Sequence, residues 1–133
     1  MLGLPLTVFT IVLHVAVFVL IREGIRRAHS VNKMRARVHF IVGIALTALA
    51  AAALHSFEAG LWARLYMGIG ALPDGVTAML YSLSAITSYG HASVFLEERW
   101  RLLGAIEAMN GLILFGLTTA FLFAAIESVR EPR

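Results

Sequence analysis

Three long stretches of mostly apolar residues divide the chain. Residues 1–21, 38–57 and 108–126 contain no Asp, Glu, Lys or Arg. A helix that spans the hydrocarbon core of a bilayer needs about 20 mostly apolar residues. The pattern therefore predicts three transmembrane helices. Their approximate ranges are 4–26, 37–66 and 100–128.

A fourth uncharged window, residues 75–96, is interrupted by polar residues and a glycine. Its first part, 75–86, fits a helix that is too short to span a membrane. Asp74 stands directly before this helix. It either belongs to a turn with Pro73 and Gly75 or caps the helix by accepting backbone N–H bonds.

The stretch that follows the short helix is polar, although no charged residue lies near it. It reads Thr87-Ser88-Tyr89-Gly90-His91-Ala92-Ser93. Irregular backbone at membrane depth persists only where protein buries it or water lines it. We therefore expect a re-entrant segment along a water-filled path, in which backbone carbonyls and hydroxyls replace the water shell of an ion.

Composition agrees with a membrane protein, and charge predicts its orientation. Of the 133 residues, 59% are hydrophobic and 14% are charged, whereas soluble domains carry about 25% charged residues. Cysteine is absent, which excludes disulfides and thiolate metal sites. Six of the eleven Lys and Arg residues lie between the first two helices: Arg22, Arg26, Arg27, Lys33, Arg35 and Arg37.

Basic residues in short loops stay on the cytoplasmic side. This loop is therefore predicted to be cytoplasmic, with the N-terminus outside and the C-terminus inside. A signal peptide carries positive charge before its apolar stretch, whereas here every charge follows it, so we interpret the first stretch as a retained helix. The predicted localisation is the cell inner membrane, as a multi-pass protein.

The order helix, re-entrant helix, polar loop, helix resembles the pore domain of potassium channels. Residues 87–93 lie where that family carries Thr-Thr-Val-Gly-Tyr-Gly-Asp. The ungapped match keeps Tyr81-Ser82-Leu83 on the pore helix and Trp100 at the usual place after the filter in the sequence. Residues 111–120, which read GLILFGLTTA, resemble the inner helix with its hinge glycine, and residues 100–111 resemble bacterial members of the ion-channel superfamily. The resemblance covers about residues 38–128. A second alignment sets Tyr89-Gly90 on the family's Tyr-Gly pair but needs a two-residue deletion, so we prefer the ungapped one.

The resemblance implies an all-α membrane protein with three transmembrane helices plus a re-entrant pore helix and filter loop, assembled as a tetramer. Residues 1–36 form an N-terminal helix and basic loop, and residues 37–133 form the pore domain. The pore domain divides into an outer helix 37–66, pore helix 75–86, filter 87–93 and inner helix 100–128. Potassium or other monovalent cations are the expected permeant ions. The expected partners are further copies of the chain and membrane lipid, with no nucleic acid, no other cofactor and no bound metal.

The filter departs from the family pattern in its outer half. Ser88 keeps a hydroxyl and Gly90 is retained, but Tyr89 replaces Val. The remaining replacements are His91 for Tyr, Ala92 for the second Gly and Ser93 for Asp. We therefore expect reduced selectivity; the alternative is a non-conducting membrane interaction or regulatory protein that retains the channel fold. His91 either occupies the Tyr position or modulates the pore through pH or metal ions.

Ionisable residues inside the predicted spans are the remaining candidates. His55 and Glu58 lie one turn apart, and we expect them, with Glu107, to support the filter. Proton sensing stays open for the His55–Glu58 pair, and two metal ligands at this spacing are too few for a metal site. Asn110 is either a helix–helix hydrogen-bond partner or a pore ligand, and His14 is expected to be a packed histidine.

Two further expectations concern packing. The hinge Gly111 is followed by positions that share one helical stripe and are predicted to line the pore: Leu112, Phe115, Thr119 and Phe123. Trp62 and Tyr66 are predicted to form an outer aromatic belt. No nucleophile elbow, phosphate-binding loop or His-Glu-x-x-His pattern is present, so we do not expect an enzyme.

Overall fold

The computed structural model describes residues 2–28, 33–87, 89–90 and 94–130. These residues form helices and connecting turns, without a strand among them. The helices are α1 (Gly3–Ala28), α2 (Lys33–Gly68), α3 (Gly75–Ile86) and α4 (Arg101–Arg130), with a 3-10 turn at Glu98–Trp100 before α4. The all-helical class is confirmed. α1 and α2 extend beyond both predicted ends, α4 extends beyond its predicted C-terminal end, and α3 has its predicted range.

Three of the helices are long and apolar enough to cross a membrane, as the sequence predicts. The qualifying segments are Gly3–Gly24, Phe40–Gly68 and Glu98–Glu127. The fourth apolar helix, α3, has 12 residues and rises only about 18 Å at 1.5 Å per residue. It is therefore too short for a hydrocarbon core of about 30 Å.

Side-chain contacts give the directions of the long helices. Along α1, Thr10 bonds to Asn110 and His14 bonds to Thr118, so α1 and α4 run parallel. Tyr66, near the end of α2, bonds to Glu107 near the start of α4, so α2 runs antiparallel to both. One end of the bundle therefore holds the beginnings of α1 and α4 and the end of α2.

α3 starts at this same end, and Asp74 is its N-cap. The Asp74 carboxylate accepts hydrogen bonds from the backbone N–H groups of Val76 and Thr77, at 2.9 and 3.0 Å, and from the Thr77 hydroxyl at 2.7 Å. These bonds, above all that from the Thr77 backbone, hold the pKa of Asp74 below its ordinary value. Of the two sequence interpretations, the cap is the one that the structure contains.

α3 packs between α2 and α4, and two glycines on α4 allow the close approach. Gly104 lies under the Tyr81 hydroxyl, and Gly111 lies under the backbone of Ile86. A β-carbon added at Gly111 would stand 2.7 Å from Ile86 Cα and 2.8 Å from its carbonyl carbon, well inside the ordinary contact of about 3.5–4.0 Å. The last turn of α3 therefore sits directly on the α4 backbone.

The core lies where α2, α3 and the start of α4 meet. Trp62 and Tyr66 belong to it and have no exposed surface, so the prediction that they form a lipid-facing aromatic belt is wrong. After Gly68 the chain folds back, and the N–H of Ala71 donates to the Tyr66 carbonyl at 2.8 Å. The Tyr66 ring then meets the edge of Tyr81 on α3, with centroids 5.2 Å apart. A short helix thus covers the aromatic face that hydropathy assigns to lipid.

Candidate functional site

The polar stretch begins where α3 ends. Of the predicted filter, Thr87, Tyr89 and Gly90 are described, whereas Ser88, His91, Ala92 and Ser93 lie outside the described residues. The Thr87 hydroxyl donates to the Leu83 carbonyl at 2.6 Å and closes the last turn of α3. All three described residues are exposed, and the Tyr89 side chain is 84% exposed. The segment therefore presents both backbone and side chains to its surroundings.

Gly90 has the backbone conformation that this stretch most depends on. Its φ is +90°, a value that side chains with a β-carbon rarely adopt. A second glycine with positive φ, Gly70 at +68°, lies in the turn between α2 and α3. Among the described residues, no atom lies within 4 Å of a β-carbon added at either glycine, so strain rather than space restricts both positions.

The predicted pore-lining residues share an exposed face of α4. Leu112 and Phe123 are 64% and 65% exposed, and Thr119 is exposed as well. Phe115 is also exposed, at 39%, although its ring stacks on His55 with centroids 4.2 Å apart. Gly111 is buried under α3 and does not belong to this face. The structure thus gives Gly111 a packing role beside the predicted hinge role.

Glu107 is fully buried in the angle between α2, α3 and α4. The Tyr66 hydroxyl donates to Glu107 Oε2 at 2.7 Å. The sequence predicts that Glu107 supports the filter; in the structure its side chain contacts Tyr66, whose ring also packs against Tyr81 of α3. Asn110, one turn further along α4, donates through Nδ2 to the Thr10 hydroxyl at 2.9 Å. It is therefore a helix–helix partner of α1.

His55 and Glu58 have partners that the sequence does not indicate. Glu58 Oε1 lies 2.9 Å from His14 Nδ1, and Glu58 Oε2 lies 3.4 Å from His55 Nδ1. The Nε2 atoms of His14 and His55 lie 3.0 and 3.1 Å from the Thr118 hydroxyl. These partners stand on α1 and α4, rather than on α3 as expected. We call His14, His55, Glu58 and Thr118 the buried polar cluster.

The buried polar cluster joins the three long helices inside the apolar part of the fold. His14 and Glu58 have no exposed surface, and His55 and Thr118 are 7% and 8% exposed. One donor atom from each of His14, His55 and Glu58 lies within 4.8 Å of the others, so the structure supplies the third metal-ligating group that the sequence interpretation lacks. Intramembrane ionisable groups tend to turn inward and pair. The position of His14 in the uncharged stretch 1–21 is the sequence feature that could have indicated this partner.

Two sites therefore stand out: the exposed segment at the end of α3 and the buried polar cluster. Comparison with protein-family models, curated proteins and solved structures gives no match. The functional argument consequently depends on the geometry of the chain and on the residues quoted above.

Proposed function

We propose that this chain is the pore-forming subunit of a tetrameric, potassium-channel-like cation channel. Residues 87–93 would form the filter and conduct monovalent cations with reduced selectivity. The observation that carries the proposal is the depth at which α3 ends. Its last residue, Ile86, packs on Gly111. Gly111 lies ten residues, or about 15 Å, from the start of α4 at Arg101.

That depth is about half of a 30 Å hydrocarbon core. A helix that enters the membrane from the side where α2 ends, and that stops at this depth, leaves its C-terminal carbonyls near the bilayer midplane. These carbonyls carry a partial negative charge, equivalent to about half an elementary charge, which attracts cations. The exposed residues Thr87, Tyr89 and Gly90 then lie at a depth where lipid cannot satisfy backbone polar groups.

This exposed backbone is the argument for an assembly. A single chain contributes one such segment, and nothing among the described residues covers it. Identical chains related by rotation would bring the segments together around one axis, since most homo-oligomers have closed cyclic symmetry. The number four comes from the resemblance to potassium channels. The exposed face of α4, with Leu112, Thr119 and Phe123, would then face the cavity below the filter.

The departures in the outer filter support reduced selectivity. Gly90 can present the backbone turn of one carbonyl site, and Ser88 can supply a hydroxyl beneath it. Ala92 and Ser93 stand where the family has Gly and Asp, so the family's outer filter conformation costs about 1–2 kcal/mol at a non-glycine position. Discrimination between potassium and sodium depends on the number and field strength of ligands. Loss of outer sites weakens it.

Cation flux into liposomes that contain the purified protein reconstituted in their membrane tests the proposal. We compare the unmodified chain with Gly90→Ala and with the matched control Gly70→Ala. Both variants place a β-carbon at a positive φ with open space around it, so both lose similar stability, about 1–2 kcal/mol. We expect potassium and sodium flux from the unmodified chain and the control, and altered or abolished flux from Gly90→Ala.

Two outcomes of the flux measurement would count against the proposal. One is cation flux that both glycine variants change equally, because the filter would then have no special role. The other is absence of flux from tetramers verified by native mass spectrometry, which would favour the alternative of a non-conducting interaction or regulatory protein. A monomer or dimer alone would remove the pore geometry altogether.

A further inference from the structure

Hydrogen bonds assign the protons of the buried polar cluster. The Thr118 hydroxyl lies 3.0 Å from the Leu114 carbonyl, which can only accept. Its single proton therefore goes to that carbonyl, and its oxygen accepts from both imidazoles. His14 and His55 each carry a proton on Nε2 as a result. Both Nδ1 atoms then point at Glu58, and either can be an unprotonated nitrogen with a free lone pair.

Only one of the two Nδ1 contacts with Glu58 is a hydrogen bond. His14 Nδ1 and Glu58 Oε1, at 2.9 Å, need one proton between them. His55 Nδ1 and Glu58 Oε2 are 3.4 Å apart, and neither atom has a hydrogen-bond partner among the described residues. Where His55 Nδ1 carries no proton, two atoms with lone pairs face each other in a buried place, where an unsatisfied polar group is costly.

We propose that His14, His55 and Glu58 bind a divalent transition-metal ion of the class to which zinc belongs. The ion would lie between the two Nδ1 atoms and the Glu58 carboxylate, and would displace the proton shared by His14 and Glu58. The proposal concerns the joint between α1, α2 and α4 and does not depend on conduction. It applies equally if the chain has another function.

The donor set fits this class of metal. Neutral imidazole nitrogens and a carboxylate are common zinc ligands, with bonds of about 2.0–2.2 Å. Tetrahedral coordination at that bond length needs donor atoms about 3.4 Å apart. The two nitrogen–oxygen distances, 2.9 and 3.4 Å, are already near this value. One ligand atom from each of the three residues lies within 4.8 Å of the other two, so the side chains must move closer together when they bind the ion.

The surroundings of the cluster also resemble those of protein metal sites. Metal-ligating histidines commonly donate their second ring N–H to a fixed polar group, which sets the tautomer. Thr118 does this for both rings. Phe18 meets the His14 ring edge-on at 4.6 Å, and Phe115 stacks on His55 at 4.2 Å. One aromatic ring therefore contacts each imidazole.

Zinc stoichiometry of the full-length purified chain is the test. The protein is stripped with a chelator, incubated with zinc, passed through a sizing column and analysed for metal. We expect about one zinc ion per chain, and less than about a tenth of that for His55→Gln. A background variant, His29→Gln/His39→Gln/His91→Gln, removes the histidines outside the cluster and should still retain one ion.

Three results would overturn the metal site. The first is a zinc content near zero ions per chain in the unmodified protein, which would mean that the buried polar cluster binds protons but no metal ion. The second is equal zinc retention by His55→Gln, and the third is loss of zinc from the background variant. If His55→Gln fails to fold, X-ray absorption on the zinc-loaded unmodified chain decides instead. Two nitrogen and one or two oxygen ligands at about 2.0–2.2 Å support the site, and any other set contradicts it.

Discussion

Gly111→Ala tests the contact that determines where α3 ends. The new methyl group would lie 2.7 Å from Ile86 Cα, whereas carbon atoms in contact are about 3.5–4.0 Å apart. The end of α3 must therefore move by about 1 Å. Overpacking against backbone of this kind costs about 1–3 kcal/mol. Alanine also stabilises a helix relative to glycine by about 0.5–1 kcal/mol, which offsets part of that cost.

Gly116→Ala on the same helix separates the two effects. No atom lies within 4 Å of its added β-carbon, so it gains the helix preference without the clash. We expect Gly111→Ala to be less stable than Gly116→Ala by about 1–3 kcal/mol, measured by chemical denaturation in detergent with the fluorescence of buried Trp62. Equal stability of the two variants would refute the close packing of α3 on α4.

Three further changes probe single contacts. Thr118→Val should destabilise the fold by about 1–3 kcal/mol per imidazole N–H left without an acceptor, and the exposed neighbour Thr119→Val should have a small effect in the same denaturation assay. Tyr66→Phe should lower stability by about 1–3 kcal/mol, because it removes the hydroxyl that bonds Glu107. Asp74→Ala should lower the thermal midpoint at neutral pH. Since the folded pKa of Asp74 is depressed, its contribution is present above about pH 4, and the gap from the unmodified chain should close as pH falls further; a gap that persists would contradict the cap.

The number, order and approximate ends of the helices could be predicted from the sequence, because they depend on local properties. Uncharged stretches give the spans, and Asp74 before an apolar run gives the start of α3. The close approach at Gly111 was not predictable in the same way. A glycine in an apolar helix is compatible with a hinge, with a helix crossing or with neither. The helix crossing becomes visible only when the structure places the Ile86 backbone against Gly111.

The partners of the buried polar cluster could not be predicted, since they depend on helix rotation. α1, α2 and α4 are apolar around much of their circumference, so periodicity does not define an inner face. His14 and Glu58 are 44 positions apart, and His14 and Thr118 are 104 apart. The burial of Trp62 and Tyr66 was not predictable for a related reason, because no local pattern shows whether an aromatic side chain in an apolar helix meets lipid or another helix.

The central claim is that this chain forms a cation pore with a weakened filter. Reversal potentials in planar bilayers, with potassium on one side and sodium on the other, test it most directly. We expect cation-selective current with weak or no preference for potassium. The family-like variant Tyr89→Val/His91→Tyr/Ala92→Gly/Ser93→Asp should raise that preference. Strong potassium selectivity in the unmodified chain would contradict the weakened filter, and absence of current from verified tetramers would contradict the pore itself.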